Sequence, residues 1–346
     1  MKKFLNESRG FLRQAISCWL WREWTTMGVA GASASEMRHV IDPEALLLFT
    51  GTAGRGDPRL FDEVLDWLTA NGRLLNGPRL KRLLRAYEFS SGRVLAAICS
   101  VLPKKGCRLD WRMNQVESAP EEALFYGADA RPLPDYGIRD PDFLALGFRR
   151  GQLDLRHYSQ PPDPSRPACL WLTLRSLLGI NCRVEILVYL LTRSCGYPSQ
   201  IARETGYTQR NIQDVMVNMA ASGQLLATRK RREVEYRLTS PLWKKLLLGA
   251  QKSPAWIQWP PVLRALEQVW LRLFDEKLEE LSDSTLASEL FLLVRKIRPH
   301  LECANLAHLL TPESKGLGDD YAATFIGDLT AILKHTGIVQ DNPGDR

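Results

Sequence analysis

Residues 183–239 read RVEILVYLLTRSCGYPSQIARETGYTQRNIQDVMVNMAASGQLLATRKRREVEYRLT. Val184, Ile186, Leu187, Leu190 and Leu191 give the first segment an apolar face suited to a helix in a core. Pro198 stands where a second, short helix can begin, because a first-turn position needs no N–H. Ile201 and Ala202 point inward from that helix, and Gly206 stops it. Ala202 and Gly206 are small enough to let two helices cross closely. Thr208 is the expected N-cap of a third helix, its hydroxyl satisfying a free N–H of the first turn. That helix puts Ile212, Val215, Met216 and Met219 on one stripe and Gln209, Arg210, Gln213 and Asp214 on the other face, and Gly223 ends it. The runs 224–229 and 233–239 then predict a two-stranded hairpin, with Leu226, Thr228, Val234, Tyr236 and Leu238 alternating across the strands. Its tip carries four successive cations, Arg229, Lys230, Arg231 and Arg232.

A helix mounted in this way can enter the major groove of a duplex by its N-terminal end. Its outward residues are of the types that read base edges: Arg for guanine, Gln and Asn for adenine. A cationic hairpin tip beside it suits the phosphate backbone or the minor groove. Asp214 is unfavourable near phosphates unless it accepts from cytosine N4 or pairs with Arg210, four residues before it. Charge is distributed to match. The chain of 346 residues holds 46 Lys and Arg against 39 Asp and Glu, a net charge of +7. Residues 183–245 hold eleven basic and five acidic groups, whereas residues 246–346 are acidic on balance. A surplus gathered in one stretch points to a polyanionic partner.

The pattern Ser199, Ile201, Ala202, Thr205 and Gly206, with one residue fewer before Ile201 than the commonest form, resembles the winged helix-turn-helix of bacterial regulators of the MarR and ArsR types. Thr208, Ile212, Met219, Gly223, Leu225, Arg232, Tyr236 and Leu238-Thr239 continue the resemblance, which covers about 70 of the 346 residues. It implies binding of double-stranded DNA, usually as a homodimer and usually in repression. The expected contact residues are Ser199, Gln200, Thr208, Gln209, Arg210, Asn211, Gln213, Arg229, Lys230, Arg231 and Arg232. Cys182 and Cys195 flank the first helix without a Cys-x-Cys or His-x-His partner, so metal sensing does not carry over. Winged domains also dock proteins. The competing expectation is an antitoxin-like or scaffold protein whose winged domain engages a toxin-like partner.

The chain as a whole is expected to be mainly α, a multi-domain helical protein with a central winged helix-turn-helix of three helices and a two-stranded β wing. The expected division is a helical unit at 1–126, a Pro-rich strap at 127–167, the winged unit at 168–249, a linker at 250–261 and a helical dimerisation or effector unit at 262–346. Helical periodicity marks 1–26, 34–50, 58–70, 77–88 and 91–102, then 262–280, 283–298, 299–310 and 319–336. The strap is signalled by Pro132, Pro134, Pro141, Pro161, Pro162, Pro164 and Pro167. Trp256 and Trp259 in the linker are expected to be pinned to a surface. Residues 58–103 could form a second three-helix unit of the same type, and Arg73, Arg79, Lys81, Arg82 and Arg85 in it form either a further nucleic-acid face or the wet side of a helix.

Other chemistries find little support. The seven Cys and five His lack zinc spacing. GTAGRGDP (51–58) lacks the Gly-Lys-Ser/Thr of a phosphate loop and reads as a plain loop. The pairs Glu121-Glu122, Glu279-Glu280 and Asp319-Asp320 are adjacent, so their side chains diverge on a helix. No cofactor, metal or catalytic set is read, and an enzyme is not expected. No apolar run approaches the ~18 residues of a membrane span, so a cytoplasmic location off the membrane is expected.

Overall fold

The computed structural model describes residues 2–31, 37–107, 109, 111–113, 120–134, 137–249, 251–312 and 321–340, and the chain in it is mainly helical. Its elements run α1 (Lys2–Thr26), α2 (Pro43–Ala53), α3 (Pro58–Asn71), α4 (Gly77–Ala86), α5 (Gly92–Lys104), β1 (Glu122–Ala123), α6 (Pro141–Leu144), β2 (Phe148–Arg149), α7 (Leu170–Leu178), α8 (Cys182–Thr192), α9 (Pro198–Thr205), α10 (Gln209–Ala221), β3 (Leu225–Lys230), β4 (Glu233–Leu238), α11 (Leu242–Leu248), α12 (Trp259–Leu273), α13 (Asp283–Cys303) and α14 (Tyr321–His335). Positions 34–36, 250 and 319–320, for which a helix, a linker and a helix start were expected, lie outside the described residues, as does the Asp319-Asp320 pair.

Several helices start on the same device, a capping Asp followed by Pro. Asp42 accepts from the Ala45 amide at the head of α2, Asp57 from Leu60 at α3 and Asp140 from Phe143 at α6. Each carboxylate satisfies an otherwise orphaned N–H, and the Pro ring presets the helical φ. This moves the start of the helix expected over 34–50 to Pro43, and the helix continues to Ala53 through Gly51. The GTAGRGDP stretch is therefore the end of α2, a 3₁₀ turn over Gly54–Gly56 and the cap of α3.

Two apolar cores organise the chain. The first contains Ala45–Phe49 and Ala53 of α2, a helix buried at every position. Trp19 on α1 sits against Phe49 of α2 and Trp259 of α12, at centroid distances of 6.1 and 5.2 Å. The same core takes in α3, α4, α5, α13 and α14. The segments 1–126 and 262–346, set apart in the sequence reading, thus share one apolar interior. Helix α5 is buried over most of Val94–Leu102. It has no wet face to offer a groove, so α3–α5 does not repeat the architecture of α8–α10.

The second core joins α7, α8, α9, α10, β3, β4 and α11. The expected linker ties the two cores together: Trp256 packs against Trp171 and Tyr189 of the second, while Trp259 is buried in the first and donates its indole N–H to Val40 O at 3.0 Å. The Pro-rich strap lies along α3. Asp66 accepts from the amides of His157 and Ser159, Arg150 makes a two-pronged bond to Asp62, and Arg156 pairs with Glu63. Gln160 donates to Gly28 O at 2.8 Å, and a Cβ on Gly28, at φ +106°, would lie 2.2 Å from the Gln160 oxygen. Among the described residues no helix is long and apolar enough to cross a membrane.

Between the cores lies a cluster of buried charge. Arg79 of α4 is fully buried, not part of a wet face. Its guanidinium donates to both oxygens of Asp42 (2.6 and 2.5 Å), to Glu44 (2.6 Å) and to the Thr205 carbonyl of α9 (2.7 Å). Arg175 of α7 donates to Glu44 and to Glu185 of α8. Trp171 lies beneath both guanidinium carbons, at 4.6 and 5.4 Å from its ring centroid. Two cations face three carboxylates, and the pairs respond differently. At Glu44, burial opposes ionisation but Arg175 and Arg79 outweigh it, so the carboxyl sits below its ordinary range. At Glu185, burial wins over Arg175 and the carboxyl is pushed up; its Oε2 has no hydrogen-bond partner.

A raised carboxyl favours the folded state in acid and costs stability as the pH climbs above its ordinary value of 4.5. Glu185→Gln keeps the shape and removes that cost. Thermal melts across pH should therefore give the variant and the parent equal midpoints near pH 4 and a higher midpoint for the variant at pH 8. Parallel curves would mean that Glu185 does not carry the excess charge.

Candidate nucleic-acid interface

The surface around α10 follows from how its sequence caps and packs. Gly206 ends α9 in the left-handed region at φ +77°, and the Thr208 hydroxyl accepts from the Asn211 amide at 3.4 Å to start α10. Ile212, Met216 and Met219 are buried and Val215 is half-buried. Gln209, Arg210, Asn211, Gln213 and Asp214 are exposed, as the periodicity predicts. Arg210 is 91% exposed and its Nε stands 4.0 Å from Asp214 Oδ2, so the pairing expected four residues on is a loose surface pair.

Ser199 and Gln200 are half-buried at the start of α9, and Gln200 donates along the helix to Glu204 at 3.3 Å. Tyr197 precedes α9 without a side-chain cap, which leaves the first N–H groups of the helix without that partner.

The hairpin forms where expected but with opposite parity. Leu225 pairs with Leu238, Ala227 with Tyr236 and Arg229 with Val234, while Leu226 faces Arg237 and Thr228 faces Glu235. Leu225 is buried and Leu226 is 55% exposed. Leu226 and Thr228 therefore do not share a face with Val234, Tyr236 and Leu238. Two adjacent leucines allow either register, and a slip of one residue exchanges the faces. The register is set by the loop between α8 and α9: Gly196 and Tyr236 exchange both backbone hydrogen bonds, at 3.0 and 2.9 Å. A Cβ on Gly196 would come within 2.8 Å of Tyr189, so the close approach needs glycine.

The four tip cations divide into two roles. Lys230 Nζ holds Glu235 at 2.7 Å, and Arg237 holds its other oxygen at 2.7 Å. Hydrogen bonds from these two cations lower the Glu235 carboxyl to about 2. Lys230 thus braces the hairpin. Arg229, Arg231 and Arg232 are exposed and pair with no carboxylate among the described residues. Arg231 stands in the two-residue turn at φ +54°, a conformation that costs a non-glycine residue about 1 kcal/mol or more.

One flank of the surface comes from outside the second core. Asn76, the cap of α4, donates to the Tyr207 hydroxyl at 2.7 Å, and the Arg82 guanidinium lies 5.0 Å from the Tyr207 ring centroid. Burial pushes the Tyr207 hydroxyl up to about 12. Arg82, beside the residue that leads into Thr208, and Arg85, one turn on along α4, are exposed. Sequence alone marks these as cations on one helix; their position against the α9–α10 turn needs the packing of α4.

Because Arg231 holds a strained turn position, Arg231→Gly should raise the stability of the hairpin by up to about 1 kcal/mol, whereas Arg231→Ala should not. Urea unfolding followed by the tyrosine and tryptophan signals reads the difference. Equal stabilities for the two variants would show that the turn carries no strain.

Compared with protein-family models, with curated proteins and with solved structures, the chain matches none of them.

Proposed function

We propose that this chain is a sequence-specific regulator of the winged helix-turn-helix kind that binds double-stranded DNA and represses by occupying its site. The observation that carries this reading is the bare outward face at the N-terminal end of α10. Gln209, Arg210, Asn211 and Gln213 are exposed on a helix whose other face is locked in a core. Donor and acceptor side chains held at a helix start in this way suit the major-groove edges of bases.

The backbone contacts fall on three sides of that helix. Arg229, Arg231 and Arg232 on the hairpin tip take phosphates or enter the minor groove. Ser199, Gln200 and the free amides at the start of α9 take a phosphate on the strand facing α9. Arg82 and Arg85 of α4 take phosphates beside Thr208. Lys230 acts through the hairpin by neutralising Glu235, which keeps a buried carboxylate from opposing the duplex. Asp214 is tolerable because Arg210 lies within reach of it.

The test begins with a duplex selected by the purified chain from a random pool and a scrambled partner, compared by fluorescence anisotropy. Arg210→Ala should lose about 1–3 kcal/mol of discrimination between the two. Arg231→Ala and Arg82→Gln should each weaken both duplexes alike and flatten the salt dependence by about one phosphate contact. Equal losses on both duplexes for Arg210→Ala, or selection of no duplex at all, would count against the reading.

A further inference from the structure

The 3₁₀ turn that follows α2 borders a cavity of about 230 Å³ in the helical body, outside the second core. Its walls are Arg13 of α1, Arg55 and Gly56 of the turn, Tyr126 just before the strap, Trp270 of α12 and Phe274, which caps that helix. The last two rings are stacked, with centroids 4.4 Å apart. Leu271, also on its lining, is 44% exposed.

The charge at the cavity is unbalanced. Arg13 donates one bond, from Nη2 to Gly56 O at 2.6 Å, and has no carboxylate partner among the described residues. Arg55 donates to the carbonyls of Leu124 and Ala123 at 2.8 and 2.7 Å and lies 5.0 Å from the Tyr126 ring centroid. Its carboxylate, Glu122, is 3.4 Å away and is shared with Arg93 at 3.2 Å. Of the two guanidinium groups that line the cavity, Arg55 shares its carboxylate with Arg93 and Arg13 has none among the described residues. Carbonyl bonds orient Arg13 and Arg55 without neutralising them, and each keeps N–H groups with no acceptor among the described residues. A half-closed space with aromatic walls and surplus positive charge suits a flat ring that bears an anion.

We propose that this cavity binds a small aromatic carboxylate, with its ring against Trp270 and Phe274 and its carboxylate on Arg13 and Arg55. The volume admits one ring or a fused pair. This site is independent of DNA binding.

Gly56 supplies a direct test. Its backbone lies outside the left-handed region, and a Cβ there would sit 3.5 Å from Trp270 and 3.9 Å from the Arg13 guanidinium carbon. Those are ordinary van der Waals distances, so a longer side chain grows into the cavity without displacing backbone. Titration calorimetry on the full chain would compare 2-naphthoate with its neutral counterpart 2-naphthamide and with the non-aromatic cyclohexanecarboxylate. Naphthoate should bind more tightly than either. Arg13→Gln should weaken naphthoate by about tenfold or more and leave the amide unchanged. Gly56→Leu should abolish both while the thermal midpoint stays within a few degrees of the parent. The proposal is overturned if naphthoate fails to bind at millimolar concentration, if cyclohexanecarboxylate binds as well, or if the folded Gly56→Leu variant retains binding.

Discussion

The fixed point of this molecule is the buried meeting of Arg79 and Arg175 with Asp42, Glu44 and Glu185. These residues come from α2, α4, α7 and α8, so the cluster draws on both cores. Taking such charges out of water costs several kcal/mol per ion, and only near-complete pairing offsets it. Removing either arginine would leave uncompensated carboxylates and cost about 3–5 kcal/mol. What the cluster gives in return is position. Arg79 spends its Nε on the Thr205 carbonyl, one residue before the turn that launches α10. The orientation of α10 on the helical body is thereby tied to a guanidinium bonded through all three of its nitrogens.

From that constraint the rest follows in order. With α4 fixed against the end of α9, Asn76 reaches the Tyr207 hydroxyl and Arg82 covers its ring, so an exposed arginine of α4 stands beside the start of α10. At the other end of α10 the chain enters β3, and the Gly196–Tyr236 pairing aims the hairpin. Lys230 and Arg237 neutralise Glu235 within it, which leaves Arg229, Arg231 and Arg232 as the unpaired cations of the tip, beside the exposed Glu233. A single helix is thus bracketed by positive surface from two different cores. The proposed duplex contacts are a property of the whole fold and not of residues 183–239 alone.

Local chemistry was legible in the sequence, and long-range pairing was not. Pro198, Gly206, Thr208 and the stripe of Ile212, Met216 and Met219 state the start, stop and face of α9 and α10 within a few residues of each other. The head of α2 was equally written in Asp42-Pro43, a cap and a first-turn proline that the apolar periodicity alone places too early. The hairpin register was ambiguous because Leu225 and Leu226 are both apolar, and the arbiter, Gly196, lies about thirty residues away. Arg79 looked like one more cation on a wet face. Its burial depends on Asp42 and Glu44, which are distant in sequence, and nothing near Arg79 announces them. For the same reason the shared interior of 1–126 and 262–346 had no local sign.

In the proposed function, exposed cations on both flanks of α10 hold a duplex while its first turn reads the bases. The most direct measurement is the affinity of the full chain for a selected duplex and a scrambled one across a salt series. Arg82, Arg85, Arg229, Arg231 and Arg232 acting together predict a log–log slope of about −4 to −5 on both duplexes, with the selected one bound about 10³-fold or more tightly at every salt concentration. A slope near −2 would leave one flank unused. Equal affinities for the two duplexes would contradict base reading by α10.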